Sequence, residues 1–271
     1  MTRPLLFNHI PKTGGTTLRI ILNRVYGIDK VFFINSKNIN ESIEKFRHIN
    51  IAERNSYKVI SGHGAEMFAD LIENPFRISI IREPISMFIS QYHYLRHSTN
   101  SNFLEDVSTL KSEKDYIDYA ISMGQDNLLT RYFSNSIQWL ANPKIQIPNL
   151  ENDGEYLLGK AKENLHNYNF LTDLSNFDTG IYRLSQELSW SKIPIYRPSN
   201  ITQKHNKQVI FSDNYYNRLK HILRWDIELY EYFKNEKLDS VFSETNRGIN
   251  YQLFILRQKV ISQLAKLMGK K

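Results

Sequence analysis

The sequence predicts an α/β fold built on a parallel sheet with many helices around it. Three observations carry that prediction. The short apolar run Leu5-Leu6-Phe7 leads into a turn containing Gly14-Gly15, after which Leu18, Ile21, Leu22 and Val25 recur at helical spacing. Two further apolar runs, at 56–61 and 76–81, end on Gly62-His63-Gly64 and on Arg82-Glu83-Pro84. Strand ends of this composition mark the carboxyl edge of a parallel sheet, where sites collect.

The chain in order supports the same class. A strand at 5–7 is followed by a helix ending near Tyr26-Gly27, and Val31-Phe32-Phe33-Ile34 is a second strand. Residues 35–55 are polar with scattered apolar positions, a short helix and loops. The strand at 56–61 runs into a short helix over 66–72. After the strand at 76–81, Pro84 suits a first helical turn, and Ile85, Phe88, Ile89 and Tyr92 fall at i, i+3, i+4, i+7. Residues 103–135 read as helical, and 134–154 as a long loop that could wall an acceptor site. A helix over 155–167, a strand over 168–172 and an amphipathic helix over 177–190 follow. Residues 212–233 predict one strong helix. The tail predicts an amphipathic helix at about 244–269, with Leu253, Leu256, Val260, Leu264 and Leu267 on one stripe among lysines and arginine. Such a helix can dock on its own domain, join a homodimer or lie on a membrane.

Bulk composition narrows the options. At 271 residues, 41% hydrophobic and 13% aromatic, the chain suits a single domain over 1–271 with a real core. It has no cysteine, which excludes disulfides and thiolate metal sites. No 18-residue apolar run and no leader-like start are seen, so a cytoplasmic protein is expected, with the inner membrane face as a further option. The balance of 35 basic and 28 acidic residues gives +7. That suits an anionic ligand, polymer or membrane face, and without a basic block or aromatic signature it predicts no nucleic-acid partner.

The chemistry concentrates in Pro11-Lys12-Thr13-Gly14-Gly15-Thr16-Thr17. Free amides at a helix N-terminus, two glycines that permit close approach, threonine hydroxyls and a lysine make a cradle for phosphate or sulfate. The lysine precedes the glycines, unlike the G-x-x-x-x-G-K-[ST] nucleotide loop. Arg82 at a strand tip can fork onto a second phosphate, with Ser90 two helical turns on. His63 at the neighbouring strand tip is a candidate base. Asn127 and Arg131, at i, i+4, are candidate acceptor contacts. His93 and His97 share that spacing but lack the acidic partner of a metal motif, so no metal is expected.

These pieces resemble the sulfotransferase family that includes bacterial enzymes and the heparan sulfate 2-O-sulfotransferases. The likeness rests on His9 through Thr17, on Gly62-His63, and on Arg82-Glu83-Pro84 with Ser90. Residues 170–190 and Asp226-Ile227-Glu228-Leu229-Tyr230 support it. Thr172-Asp173-Leu174-Ser175 departs from the Thr-Glu-Arg-Phe of many relatives. The resemblance implies a P-loop NTPase-like three-layer sandwich with a central parallel sheet. It implies a donor, 3′-phosphoadenylyl sulfate, leaving as adenosine 3′,5′-bisphosphate, and an acceptor hydroxyl of a carbohydrate or glycolipid. The 5′-phosphosulfate would sit on the 11–17 loop and the 3′-phosphate on Arg82 and Ser90. Lys12 would steady the leaving group, and His63, or else Glu66, would take the acceptor proton. Lys204, His205 and Lys207 would close over the adenosine, and no metal would be required. Two other classes fit the residues: a nucleotide-dependent kinase with an atypical phosphate loop, and a non-catalytic binder of polyanions or membranes.

Overall fold

A computed structural model describes residues 3–97, 113–197, 213–240 and 248–268. Among them are five strands, β1 (Leu5–Asn8), β2 (Val31–Phe33), β3 (Val59–Gly62), β4 (Phe76–Ile81) and β5 (Phe170–Asp173). They form one sheet in the order β2-β3-β1-β4-β5, parallel throughout. Parallel strands need crossovers, which place helices on both faces and bury the strands completely. β1, β3 and β5 are accordingly buried at every position. Register aligns Asn8 with Gly62 on one side and with Ser79 on the other, and Ile81 with Asp173. The strands therefore end along one edge of the sheet.

Alternate side chains go to opposite faces, as period two requires. Leu5, Phe7, Val59, Ile78, Ile80 and Phe170 pack on α1 (Gly15–Tyr26) through Leu18, Ile21 and Leu22. The opposite face splits in two. Leu6, Phe32 and Ile60 pack with α2 (Ile39–His48) and the 3-10 helix Ala65–Leu71. A single turn, α3 (Ile51–Arg54), leads from α2 towards β3. After β4 come α4 (Pro84–His97), α5 (Glu113–Ser122), α6 (Leu128–Phe133) and α7 (Leu150–Leu165). Ile81 and Leu171 on β4 and β5 pack against α6 and α7. Further along are α8 (Phe177–Glu187), α9 (Asp213–Ile222), α10 (Arg224–Asn235) and α11 (Ile249–Met268). α8 and α11 join the α1 face through Ile181, Leu184 and Phe254. α10 joins the other face through Leu229 and Phe233. α4, α5 and α9 share a separate aromatic cluster that includes Phe88, Tyr92, Tyr116 and Tyr215.

The predicted α/β fold stands, with local revisions. The strand expected over 56–61 begins at Val59, and the helix expected over 155–167 begins at Leu150. The single helix expected over 212–233 is two helices. Asn127 Nδ2 donates to the Ile222 carbonyl at 2.7 Å, and Asn127 Oδ1 accepts from the Asp226 amide at 3.1 Å. Those two backbone groups are the i, i+4 partners of a continuous helix. One side-chain amide inserted between them breaks the ladder without leaving either group unsatisfied.

Candidate active site

The loop after β1 is held in an uncommon backbone form. Lys12 has φ 64 and Gly14 has φ 86, the left-handed region. For a lysine that conformation must be imposed by its surroundings. Arg82 Nη1 donates to the Lys12 carbonyl at 2.8 Å, and Thr13 Oγ1 donates to the Ile10 carbonyl at 2.9 Å. Thr13 is fully buried, so its hydroxyl ties the loop together, and any part it has in holding a cofactor would fall to its backbone. Pro11 and Thr16 are half-buried on the loop, and Thr17 is buried.

Gly14 stands where α1 would take a capping side chain, and none caps it; the first turn carries no acid either. The leading amides of the helix and the positive end of its dipole are left for an anion. Neither Lys12 nor Arg82 has a carboxylate within ion-pair distance among the described residues. Burial and the charge of Arg82 bring the Lys12 pKa down to about 8. Burial also lowers that of Arg82, against the pull of Glu83 and Asp173. Two partly buried cations crowd each other here. Glu83 makes no ion pair with Arg82 and acts on it only through its charge, because its carboxylate is turned to cap α4 through the amides of Ile85 at 3.0 Å and Ser86 at 2.7 Å.

Ser90 is half-buried on α4, one turn before Tyr94. The Lys12 ammonium lies 4.1 Å from the centre of the Tyr94 ring. Residues four apart share a helix face, so the face of α4 carrying Ser90 is turned towards the loop.

On the other side of β1 is a stack of rings. Phe7 and His9 lie 5.5 Å apart, and His9 and His63 lie 4.5 Å apart with planes tilted by 27°. His63 Nδ1 is 2.6 Å from the His9 carbonyl. A carbonyl only accepts, so Nδ1 carries the proton and Nε2 keeps its lone pair. Burial lowers the His63 pKa, the hydrogen bond to His9 opposes this, and Arg19 lowers it further. His9 is pulled well below the ordinary value by burial, then by His63, Arg19 and Lys12. Both rings are neutral near pH 7. The edge of Tyr132 closes the stack, 6.5 Å from His63.

The structure sorts the remaining candidates. The Glu66 side chain is 7% exposed and accepts from Arg77 Nε at 3.3 Å. Asn127 and Arg131 are scaffold, which corrects their expected role as acceptor contacts. The Arg131 side chain is 2% exposed, and donates from Nε to the Asp126 carbonyl, from Nη2 to Asp126 Oδ1 and from Nη1 to the Pro148 carbonyl. Asn127 joins α9 to α10. Asp226 completes the lock by accepting from the amides of Leu129 and Thr130 at the start of α6. Burial pushes the Asp226 carboxyl up to about 7, against those amides. Lys204, His205 and Lys207 lie outside the described residues.

Sequence reasoning gave His9, Arg19, Tyr94 and Tyr132 no role at the site. His9 had a signal: it sits in the motif, three residues before Lys12. Tyr94 also had one, because it lies four residues after Ser90. Tyr132 and Arg19 had none.

Comparison with known proteins adds one finding. The protein-family model described as "Sulfotransferase family" matches residues 2–233. A search of the curated proteins found no match.

Proposed function

The chain belongs to the sulfotransferase family, and from that premise we propose that it transfers a sulfuryl group from 3′-phosphoadenylyl sulfate to a hydroxyl of a carbohydrate or glycolipid. The observation that carries the reading is the joint presence, around β1, of unpaired cations at an uncapped helix start and a histidine with a free Nε2. The 5′-phosphosulfate fits the leading amides of α1 with Lys12 and Thr16. The 3′-phosphate fits Arg82 and Ser90. The net charge of +7 supports an anionic donor and favours a sugar-rich, anionic acceptor.

In the step itself an acceptor oxygen bonds to sulfur as the bond from sulfur to the donor's phosphate oxygen breaks. The hydroxyl proton passes to His63 Nε2, since the Glu66 carboxylate is already paired with Arg77. Negative charge grows on the phosphate oxygen that leaves with adenosine 3′,5′-bisphosphate. Lys12 and the α1 amides stabilise that charge more in the transition state than in the ground state. The hydrogen bond to the His9 carbonyl holds the ring and steadies the imidazolium that forms.

Calorimetric titration with adenosine 3′,5′-bisphosphate, beside magnesium ATP, tests the reading on wild type and Arg82→Ala. The bisphosphate should bind alone, and the variant should weaken it by about 1.5–3 kcal/mol, the range for a charge-assisted bond. Preference for magnesium ATP would move the protein to the kinase class. Binding of neither ligand would sink the donor assignment.

A further inference from the structure

α11 is amphipathic on two opposite sides. Its inner side docks it to α8. Tyr251 packs edge-on against Tyr182 at 5.2 Å, Phe254 lies 5.6 Å from the same ring, and the Tyr251 and Thr179 hydroxyls are 3.0 Å apart. Gln258 is buried and reaches Tyr196. The opposite side carries Ile249, Leu253, Leu256, Val260 and Leu264, exposed by 72%, 57%, 59%, 46% and 50%. Docking on the domain, one of the three placements the sequence leaves open, is made through other residues than the stripe. From Leu253 to Leu264 the stripe runs about 17 Å at 1.5 Å per residue.

We propose that this outward stripe seats the protein on the surface of an anionic lipid bilayer. Charge decides between that partner and a second copy of the helix. At 100° per residue, Arg257 and Lys259 fall on opposite flanks of the stripe, and both are exposed. Residues 249–271 contain Arg257, Lys259, Lys266, Lys270 and Lys271 and no aspartate or glutamate. Two copies joined along the stripe would set like charges against each other at the flanks, with no acid to pair them. An anionic headgroup layer pairs both flanks while the leucines enter the acyl boundary and the basic stems lie along it. Among the described residues no helix is long and apolar enough to cross a membrane, so α11 would lie on the surface. The helix also lies beyond the family match at 2–233. The inference stands apart from the sulfuryl-transfer reading, because Lys12→Ala should bind vesicles as wild type does.

The test is flotation of the full chain with vesicles of phosphatidylglycerol mixed with phosphatidylcholine, beside phosphatidylcholine alone. Wild type should float with the anionic vesicles, sink with the zwitterionic ones, and be released by raised salt. The pair Leu253→Gln with Leu256→Gln, and separately Arg257→Glu with Lys259→Glu, should each lower the bound fraction at least about tenfold. Both pairs should keep the wild-type melting temperature, because the altered side chains face solvent. Equal flotation with both lipids, or indifference to either pair, would overturn the proposal. So would a melting temperature lowered by the leucine pair. A wild-type dimer in sedimentation equilibrium that the leucine pair dissociates, without vesicle binding, would assign the stripe to a second copy.

Discussion

A methyl group at position 15 has nowhere to go. A Cβ built on Gly15 would overlap the His9 ring, whose own carbonyl fixes the His63 tautomer. Gly15→Ala should therefore strike the anion cradle and the base together. We expect a loss of about 1–3 kcal/mol in thermal or denaturant unfolding from overpacking, with bisphosphate affinity down at least tenfold. Unchanged affinity would mean that the loop amides are not the donor contact. On the proposed mechanism the pH dependence of kcat/KM, which reports the free enzyme, should be set by two side chains. His63 must be neutral to act, so the rate should fall as pH drops below its lowered pKa, and the acid limb should lie under about 6.5. Lys12 must be charged, so the rate should fall as pH rises through about 8. An ordinary lysine would put that alkaline limb near 10.4. Lys12→Arg should push it out of the accessible range, and His63→Ala should remove the acid limb. Lys12, the two glycines, His63 and Arg82 were legible in the sequence because each sits within a few residues of a strand end. There, local pattern and site geometry are the same information.

Elements joined by distant contacts were not legible. Asn127 meets Ile222 and Asp226 across 95 and 99 residues, so nothing near it in the chain announces its task. Its spacing from Arg131 looked like a pair offered to a substrate. The apolar pattern of 212–233 looked like one helix, because a break made by an inserted side chain leaves the periodicity intact on both sides. The two roles for Asn127 differ in what its loss should do. As the joint between α9 and α10, Asn127→Ala should cost about 2–4 kcal/mol of stability through lost buried hydrogen bonds. Turnover per folded molecule should stay within about twofold. A variant of wild-type stability with depressed turnover would restore the acceptor role. α11 misled in the opposite direction. Its leucine periodicity marks a stripe, yet Tyr251, Phe254 and Gln258 hold the helix to the domain. A helix with two apolar sides shows a period of 3.6 on each, and the sequence does not rank them.

For the whole molecule, an anion bound between Lys12 and Arg82 should relieve their mutual repulsion and stabilise the fold. At a hundredfold excess over its dissociation constant, adenosine 3′,5′-bisphosphate should add about 2.7 kcal/mol. That corresponds to a rise of about 5–10 °C in melting temperature for a chain near this size. The rise should shrink in Arg82→Ala, and its absence in wild type would argue against the site. The sheet order was not written in the sequence, because strand runs fix which segments pair far less than that they pair. It nevertheless settles how the site is divided. β1, which carries the cradle, has β3 with His63 on one side and β4 with Arg82 on the other. On the proposed reading, the donor would meet the loop between β1 and α1 together with β4 and α4, while the acceptor's proton would be taken at the tip of β3. Under that reading, descendants of this chain could drift towards new acceptors through changes around β3 and inherit an unaltered donor half as they do so.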